Sequence, residues 1–388
     1  MNILKKYVWT MLSFIKNDRV ESKIKESLKK IYFILPFGFF AFLFIPRNIS
    51  SKMRLILGLN YHYDLKGNDY AFPNLDMKLS KIGLWGGYKA KNKIAFYFKP
   101  KDIAKVCHIL SDEYSKNLYL SAVFNYVSQR QGFLICLYYS HIWKYYHNIA
   151  LARCDDIINI NSYDYFLYDL SKINLAPIKI YHSLHSIFCN FYLEQYSYKN
   201  LIKAQKGDYV IDGGACYGDT ALYFANLVGE SGKVFAFEFV EDNIKLFNKN
   251  LEINTHINNI ILVKHPLYAD SNTFVDSVGS GSSATISLDS SNSSIQTLSI
   301  DNFVKNNNIA RIDFIKLDIE GSEFDALIGA KESIKRFKPK LAICLYHSAN
   351  DYIRIPLLLS EFAPGYKFYF DHFTLGRYES VLFAIHKD

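Results

Sequence analysis

Three groups of residues in this chain have the types and spacing to do chemistry. Asp318 and Glu320 stand two positions apart at the end of the apolar run "DFIKLDIEG" (313–321). A carboxylate pair of this kind can handle a proton, because each negative charge raises the pKa of its neighbour. His347 closes another apolar run, "KLAICLYH" (340–347), and is either a general base or a hydrogen-bonded structural histidine. The third group is the turn in "VIDGGACYGDTALYFA" (210–225), with Asp212, Gly213, Gly214, Tyr217 and Gly218, followed by Glu238 in "KVFAFEF" (233–239). Glycines between a strand and a helix let the backbone approach a ligand closely. An acid at the end of the second strand can accept both hydrogen bonds of a ribose diol.

The glycine spacing narrows the ligand. A dinucleotide site uses G-x-G-x-x-G to seat a pyrophosphate on a helix N-terminus. Here the pattern is D-x-G-x-x-x-G, which suits a ligand without phosphate, such as S-adenosylmethionine (SAM), its methionyl tail near the turn and its ribose on Glu238. Methyl transfer from a sulfonium is an in-line displacement that depends on alignment and exclusion of water. An alcohol acceptor must also lose its proton, and Asp318, Glu320 and His347 are the candidates to take it. Asp318 is the residue expected to touch cofactor or acceptor, and Tyr217 is placed to stack on one of them. Asp318 with Glu320 offers two ligands to a divalent ion but no evident third, so no metal site is expected. His182 and His185, three apart in "YHSLH" (181–185), lack companion ligands and read as structural.

These residues need elements to hold them. From about Asp208 short apolar runs alternate with helical patterns: 208–213, 219–228, 233–239, 241–255, 259–265, then 313–321, 322–337, 340–347, 352–362, 366–372 and 379–387. The alternation predicts an α/β fold with a buried, mostly parallel sheet, and the last two runs, joined without a helix, predict an antiparallel hairpin at its far end. Asp318 and His347 then end the fourth and fifth core strands, on one crevice, with 318 and 320 on one side of an extended strand. The Ser-rich stretch 271–297 reads as a hairpin at the site rim, or as a linker. Upstream, 93–100 predicts a strand, 101–110 a helix, and 131–140 either.

The chain of 388 residues carries a net charge of +8. Residues 1–54 hold eleven Lys/Arg against three Asp/Glu, which is the whole excess, and the remainder is balanced at 34 of each. The neutral catalytic half, lacking an Asn-Pro-Pro-Tyr-like motif, argues against a nucleic-acid substrate. The basic arm contains the 16-residue apolar segment Ile31–Pro46, too short to span a bilayer and broken by Pro36 and Gly38. It suits either peripheral contact with an anionic membrane face or burial in the core or a homo-oligomer contact. Six scattered cysteines without a C-x-x-C pair point to a reducing compartment, the cytoplasm or the inner membrane face. The organisation expected is a basic, partly apolar arm (1–54), a mixed α/β accessory region (55–189) and a catalytic domain (190–388).

"GDYVIDGGACYGDTALYFA" (207–225), "VFAFEF" (234–239), "SIDNFV" (299–304) and "IDFIKLDIEGSEFDALIGA" (312–330) together resemble the FkbM-type family of class I SAM-dependent methyltransferases, over about 190–388. "FYLEQYSYKN" (191–200) is also similar to what precedes the domain in some members. The resemblance implies a Rossmann-like, seven-stranded, mostly parallel sheet with an antiparallel last strand. It implies that the turn at Asp212–Gly218 holds the methionyl part, Glu238 the ribose, and 318–321 lies beside the transferring methyl. Where the common class I turn has a glycine, this chain has Cys216. The expected activity is O-methylation of a hydroxyl on a sugar, glycan or small natural product. The alternatives are a non-catalytic SAM- or nucleotide-binding protein on this fold and a nucleotide-sugar or dinucleotide enzyme.

Overall fold

The computed structural model describes residues 100–128, 146–160, 163–279, 281, 284–288, 294–374 and 378–387. The basic arm, the apolar segment 31–46, the run 131–140 and all but the last residue of 93–100 lie outside these. Among the described residues no helix is long and apolar enough to cross a membrane.

Helices α1 (Pro100–Ile109) and α2 (Glu113–Ser128) come first, α1 matching the expected helix. A short helix, α3 (Tyr146–Ala150), leads to an antiparallel sheet of β1 (Arg153–Ile160), β2 (Tyr163–Asp169) and β3 (Lys179–His182). A helical turn, α4 (Leu184–Ile187), runs into a π-helical segment, Phe188–Tyr192. Then the alternation begins: β4 (Tyr209–Gly213), α5 (Asp219–Val228), β5 (Lys233–Phe237), α6 (Glu241–Glu252) and β6 (Ile260–Val263). Strands β7 (Phe274–Val278), β8 (Thr285–Ser287) and β9 (Ile295–Gln296) form a small sheet, in which β7 and β8 pair as the expected hairpin. The chain closes with α7 (Ile300–Asn306), β10 (Phe314–Leu317), α8 (Glu323–Ile328), α9 (Lys331–Phe337), β11 (Lys340–Cys344), α10 (Asp351–Phe362), β12 (Tyr366–His372) and β13 (Ser380–His386).

The central sheet has seven strands in the order β12-β13-β11-β10-β4-β5-β6. Strands β4, β5, β6, β10 and β11 are parallel, while β13 runs antiparallel to both neighbours. Every residue of β10 is buried, as expected of a central strand covered by helices on both faces. The β12–β13 hairpin stands at the edge, where the sequence placed it.

That edge is covered by the upstream helices. Ser111 N–H donates to Phe368 O at 2.7 Å, and Phe370 N–H donates to Ser115 Oγ at 2.9 Å. An unpaired strand edge is a template for association, and this packing closes it. The small β1–β3 sheet is docked differently. Asn250 on α6 and Asn254, two residues beyond its end, each pair with the backbone of alternate β3 residues. Asn254 accepts from Lys179 N and donates to Lys179 O; Asn250 does the same for Tyr181. Two side-chain amides thus take the place of a missing strand. Asn250 also donates to Tyr217 O at 2.9 Å, which ties the small sheet to the glycine turn.

Candidate active site

The site lies beyond the carboxyl ends of β4, β5, β10 and β11, where open α/β sheets bind their ligands. Its first wall is the turn after β4. Gly214 N–H and Ala215 N–H both donate to Phe237 O, stitching the turn to the end of β5 one residue before Glu238. Three of its residues have left-handed backbone: Gly214 (φ +76), Cys216 (φ +46) and Gly218 (φ +84). Position 216, glycine in the common pattern, therefore takes the glycine conformation with a cysteine, at about 1–2 kcal/mol of local strain. Gly214 has a further constraint. A Cβ there would lie 1.9 Å from the carbonyl oxygen of Asp318, so the turn and the end of β10 touch at a point only glycine permits.

Asp212 behaves otherwise than its sequence position suggests. Its side chain is wholly buried; Oδ2 accepts from Thr220 at 2.7 Å and Oδ1 pairs with Lys316 at 3.0 Å. Lys316 Nζ also donates to the carbonyls of Gly213 and Gly214, at 2.9 and 2.7 Å. Burial opposes the charge of Lys316, but Asp212 and Asp318 hold it protonated. Asp212 is thus half of an internal ion pair that sets the turn, and its carboxylate does not face a ligand. Tyr217 is likewise turned towards the small sheet: its ring packs against Tyr165 and His182, and the Tyr165 and Tyr217 hydroxyls are 2.8 Å apart.

Glu238 lies at the end of β5, only 6 % exposed. Oε1 accepts from Phe239 N–H and Val240 N–H at 2.7 and 2.8 Å, while Oε2 has the longer bond from Asn243 at 3.2 Å. Burial raises its pKa, and these donors work against the rise. Asn243 also donates to Gly281 O in the β7–β8 connection, at 3.1 Å. Across the site Thr285 Oγ1 donates to Glu320 O at 3.0 Å. The hairpin therefore bridges Glu238 and Glu320 and forms the rim.

The second wall is a polar cluster around His347. Its Nε2 is 3.3 Å from Asp318 Oδ1 and 3.4 Å from Glu320 Oε1; its Nδ1 is 2.8 Å from Glu323 Oε1. The carboxylates converge, but not along an extended strand: β10 ends at Leu317, and Glu320 has φ +53 in a turn. Glu323 holds that turn by accepting from Ile319 N–H and Gly321 N–H at 2.7 and 3.1 Å. Burial alone would lower the pKa of His347, yet Glu323, Glu320 and Asp318 together raise it well above the ordinary value. A histidine so placed holds positive charge at neutral pH, which argues against its expected role as base. Burial works to raise Asp318, but His347, Lys316 and two tyrosine hydroxyls hold it below the ordinary carboxylate range. Burial keeps Glu320 raised.

Several members of this cluster were not found in the sequence. Tyr196 donates to Asp318 Oδ2 at 2.7 Å and Tyr346 to Oδ1 at 2.8 Å. Gln195 donates to Glu379, whose pKa burial and Asp318 push up to about 7. The expectation of no metal site rested on a missing third ligand; the structure brings His347 beside the pair, so that Asp318, Glu320 and His347 present atoms all within 4.8 Å of one another. His182 faces Asp219 at 3.3 Å and His185 lies 3.6 Å from Cys189 Sγ, so these two histidines do not share a site.

This strand order, with a glycine turn after the first parallel strand and an acid after the second, is that of the class I methyltransferase fold. The residues fit SAM as cofactor: Glu238, at the end of the strand beside the glycine turn, has one longer bond to Oε2 and capacity there for a further hydroxyl. Residues 212–371 match the family model described as the methyltransferase FkbM domain. Similar solved structures include a methyltransferase FkbM from Methylobacillus flagellatus KT, at 20 % identity and TM-score 0.47, with 73 % of this chain and 58 % of that one covered. A SAM-dependent O-methyltransferase from Thermotoga maritima aligns at 16 % identity and TM-score 0.33, over 60 % of this chain and 78 % of that one. Aeropyrum pernix fibrillarin, in complex with natively bound SAM, aligns at 14 % identity and TM-score 0.32, over 50 % and 74 %. The chain thus spans somewhat over half the length of the first of these. Among curated proteins none matches.

Proposed function

We propose that this protein is a SAM-dependent O-methyltransferase whose acceptor is a hydroxyl of a sugar, glycan or small natural product. The observation that carries the reading is the contact at Gly214, which brings the cofactor turn against the carbonyl of Asp318. SAM, when bound, supplies an electrophilic methyl group on sulfur and leaves as S-adenosylhomocysteine (SAH). The chain's own residues do the rest. The glycine turn and Glu238 fix the nucleoside from two sides. Tyr196 and Tyr346 hold Asp318 by both oxygens, which aims that carboxylate into the acceptor side. Glu320, at 30 % side-chain exposure against 17 % for Asp318, is the more accessible group to take the acceptor's proton. The β7–β8 hairpin lies over both halves and limits water at the reacting atoms.

The test is calorimetry with SAH followed by transfer of labelled methyl from SAM to a panel of glycans and hydroxylated small molecules. Wild type binds SAH, and Glu238→Ala binds it about tenfold or more weakly, the scale of losing charge-assisted hydrogen bonds. Unchanged affinity in Glu238→Ala removes that residue from the site; no heat with SAM or SAH in the wild type removes the reading.

A further inference from the structure

We propose that Asp318, Glu320 and His347 form a binding site for one divalent cation of the Mn²⁺ or Zn²⁺ type, beside the acceptor. Three observations carry it. His347 Nε2 lies 3.3 Å from Asp318 Oδ1 and 3.4 Å from Glu320 Oε1. Ligand atoms bound at roughly 2.0–2.3 Å to one ion are separated by just such distances at tetrahedral or octahedral angles. The His347 side chain is 93 % buried, being 7 % exposed, and neither ring nitrogen has a partner in hydrogen-bond geometry. Two carboxylate oxygens facing Nε2 call for a positive centre, which a proton on the ring supplies and a cation bound to the neutral ring would replace.

The surroundings are those of a metal site. Nδ1 of His347 is 2.8 Å from Glu323 Oε1, and Glu323 is fully buried and fixed by two backbone N–H groups. A carboxylate behind a histidine sets its tautomer and turns the other nitrogen towards an ion. Asp318 is oriented through Tyr196 and Tyr346. One imidazole with two carboxylates favours Mn²⁺ or Zn²⁺ over an all-oxygen Ca²⁺ site. Four acids, Asp318, Glu320, Glu323 and Glu379, face His347, and Lys316, paired with Asp212, also acts on Asp318, so the acids outnumber the cations around the site. Resting on the methyltransferase reading, the cation's role follows: it takes the acceptor hydroxyl oxygen as a further ligand and makes it more acidic, the proton passing to Glu320.

Full-length protein is dialysed against chelator and titrated with Mn²⁺, following loss of the free-ion electron paramagnetic resonance signal, with Zn²⁺ as competitor. The expected result is one Mn²⁺ per chain, displaced by Zn²⁺, with affinity at least tenfold lower in Glu320→Gln and His347→Ala. Glu323→Gln, acting through the His347 ring, weakens binding by roughly tenfold. Near-ultraviolet circular dichroism checks folding; if His347→Ala does not fold, the half-exposed Glu320→Gln decides. Absence of stoichiometric binding, or unchanged affinity in Glu320→Gln, overturns the proposal. SAH heat without Mn²⁺ binding overturns this inference alone, and Mn²⁺ binding without SAH heat supports it while removing the methyltransferase reading.

Discussion

Replacing Lys316 with methionine tests how the cofactor turn is held. Lys316 is 1 % exposed and places its ammonium against Asp212 Oδ1 and the carbonyls of Gly213 and Gly214, all within 3.0 Å. Methionine fills a similar volume but returns none of these bonds. It leaves Asp212 charged, wholly buried and supported only through Thr220. Breaking a buried pair from one side costs about 3–5 kcal/mol, because the remaining charge is uncompensated. Against a typical total stability of about 5–15 kcal/mol that is severe, and it lowers Tm by on the order of 10 °C. The assay is urea unfolding followed by far-ultraviolet circular dichroism, on Lys316→Met, Asp212→Asn and the double variant. The double variant should lose at least about 2 kcal/mol less than the sum of the singles, since the pair shares one interaction. SAH affinity should fall in Lys316→Met, as two carbonyls of the turn lose their anchor. A Lys316→Met stability within about 0.5 kcal/mol of wild type, or strict additivity in the cycle, would refute the reasoning.

Two further outcomes follow from the backbone and from burial. Gly214→Ala should cost about 2–4 kcal/mol and abolish SAH binding, because its Cβ would sit 1.9 Å from Asp318 O at φ +76. Gly229→Ala, at φ +63 and ψ −174 with the nearest neighbour 3.9 Å away, should cost about 1–3 kcal/mol for the backbone alone and leave SAH binding intact; equal losses of SAH affinity in the two variants by calorimetry would discard the contact argument. Asp351 is fully buried, and burial raises its pKa from 3.8 to about 6 despite Arg354. Its folded pKa lies above the unfolded one, so its contribution is full below about 3.8 and is lost as pH rises through about 6. Asp351→Asn should therefore gain on wild type by roughly 2–3 kcal/mol between pH 4 and pH 7, measured by urea unfolding at each pH; a flat difference would remove the assignment.

Much of the catalytic half was legible because its signals are local. Apolar runs of strand length alternating with helical spacing give the α/β class, and the glycine turn with Glu238 two elements on gives the cofactor side. Position 216 could be marked as unusual from its type alone, although its left-handed backbone could not. What tertiary structure decided are the partners of each charged group. Whether Asp212 faces a ligand or the interior depends on Lys316, one strand across and 104 positions along in register 316–212. His347 as a base and His347 as a partner of acids look the same in sequence; the carboxylates of Asp318 and Glu320 from the turn after β10, and of Glu323 from α8, meet it only in the folded chain. Gln195, Tyr196 and Glu379 reach the site from segments far apart in the chain, and no periodicity marks them. The buried asparagines Asn250 and Asn254 that dock β3 have no sequence signature either, since asparagines in and after a helix are common. Local patterns set which elements form, because propensity and burial act residue by residue. Electrostatics is decided between elements, and there only the packed structure says which charge meets which.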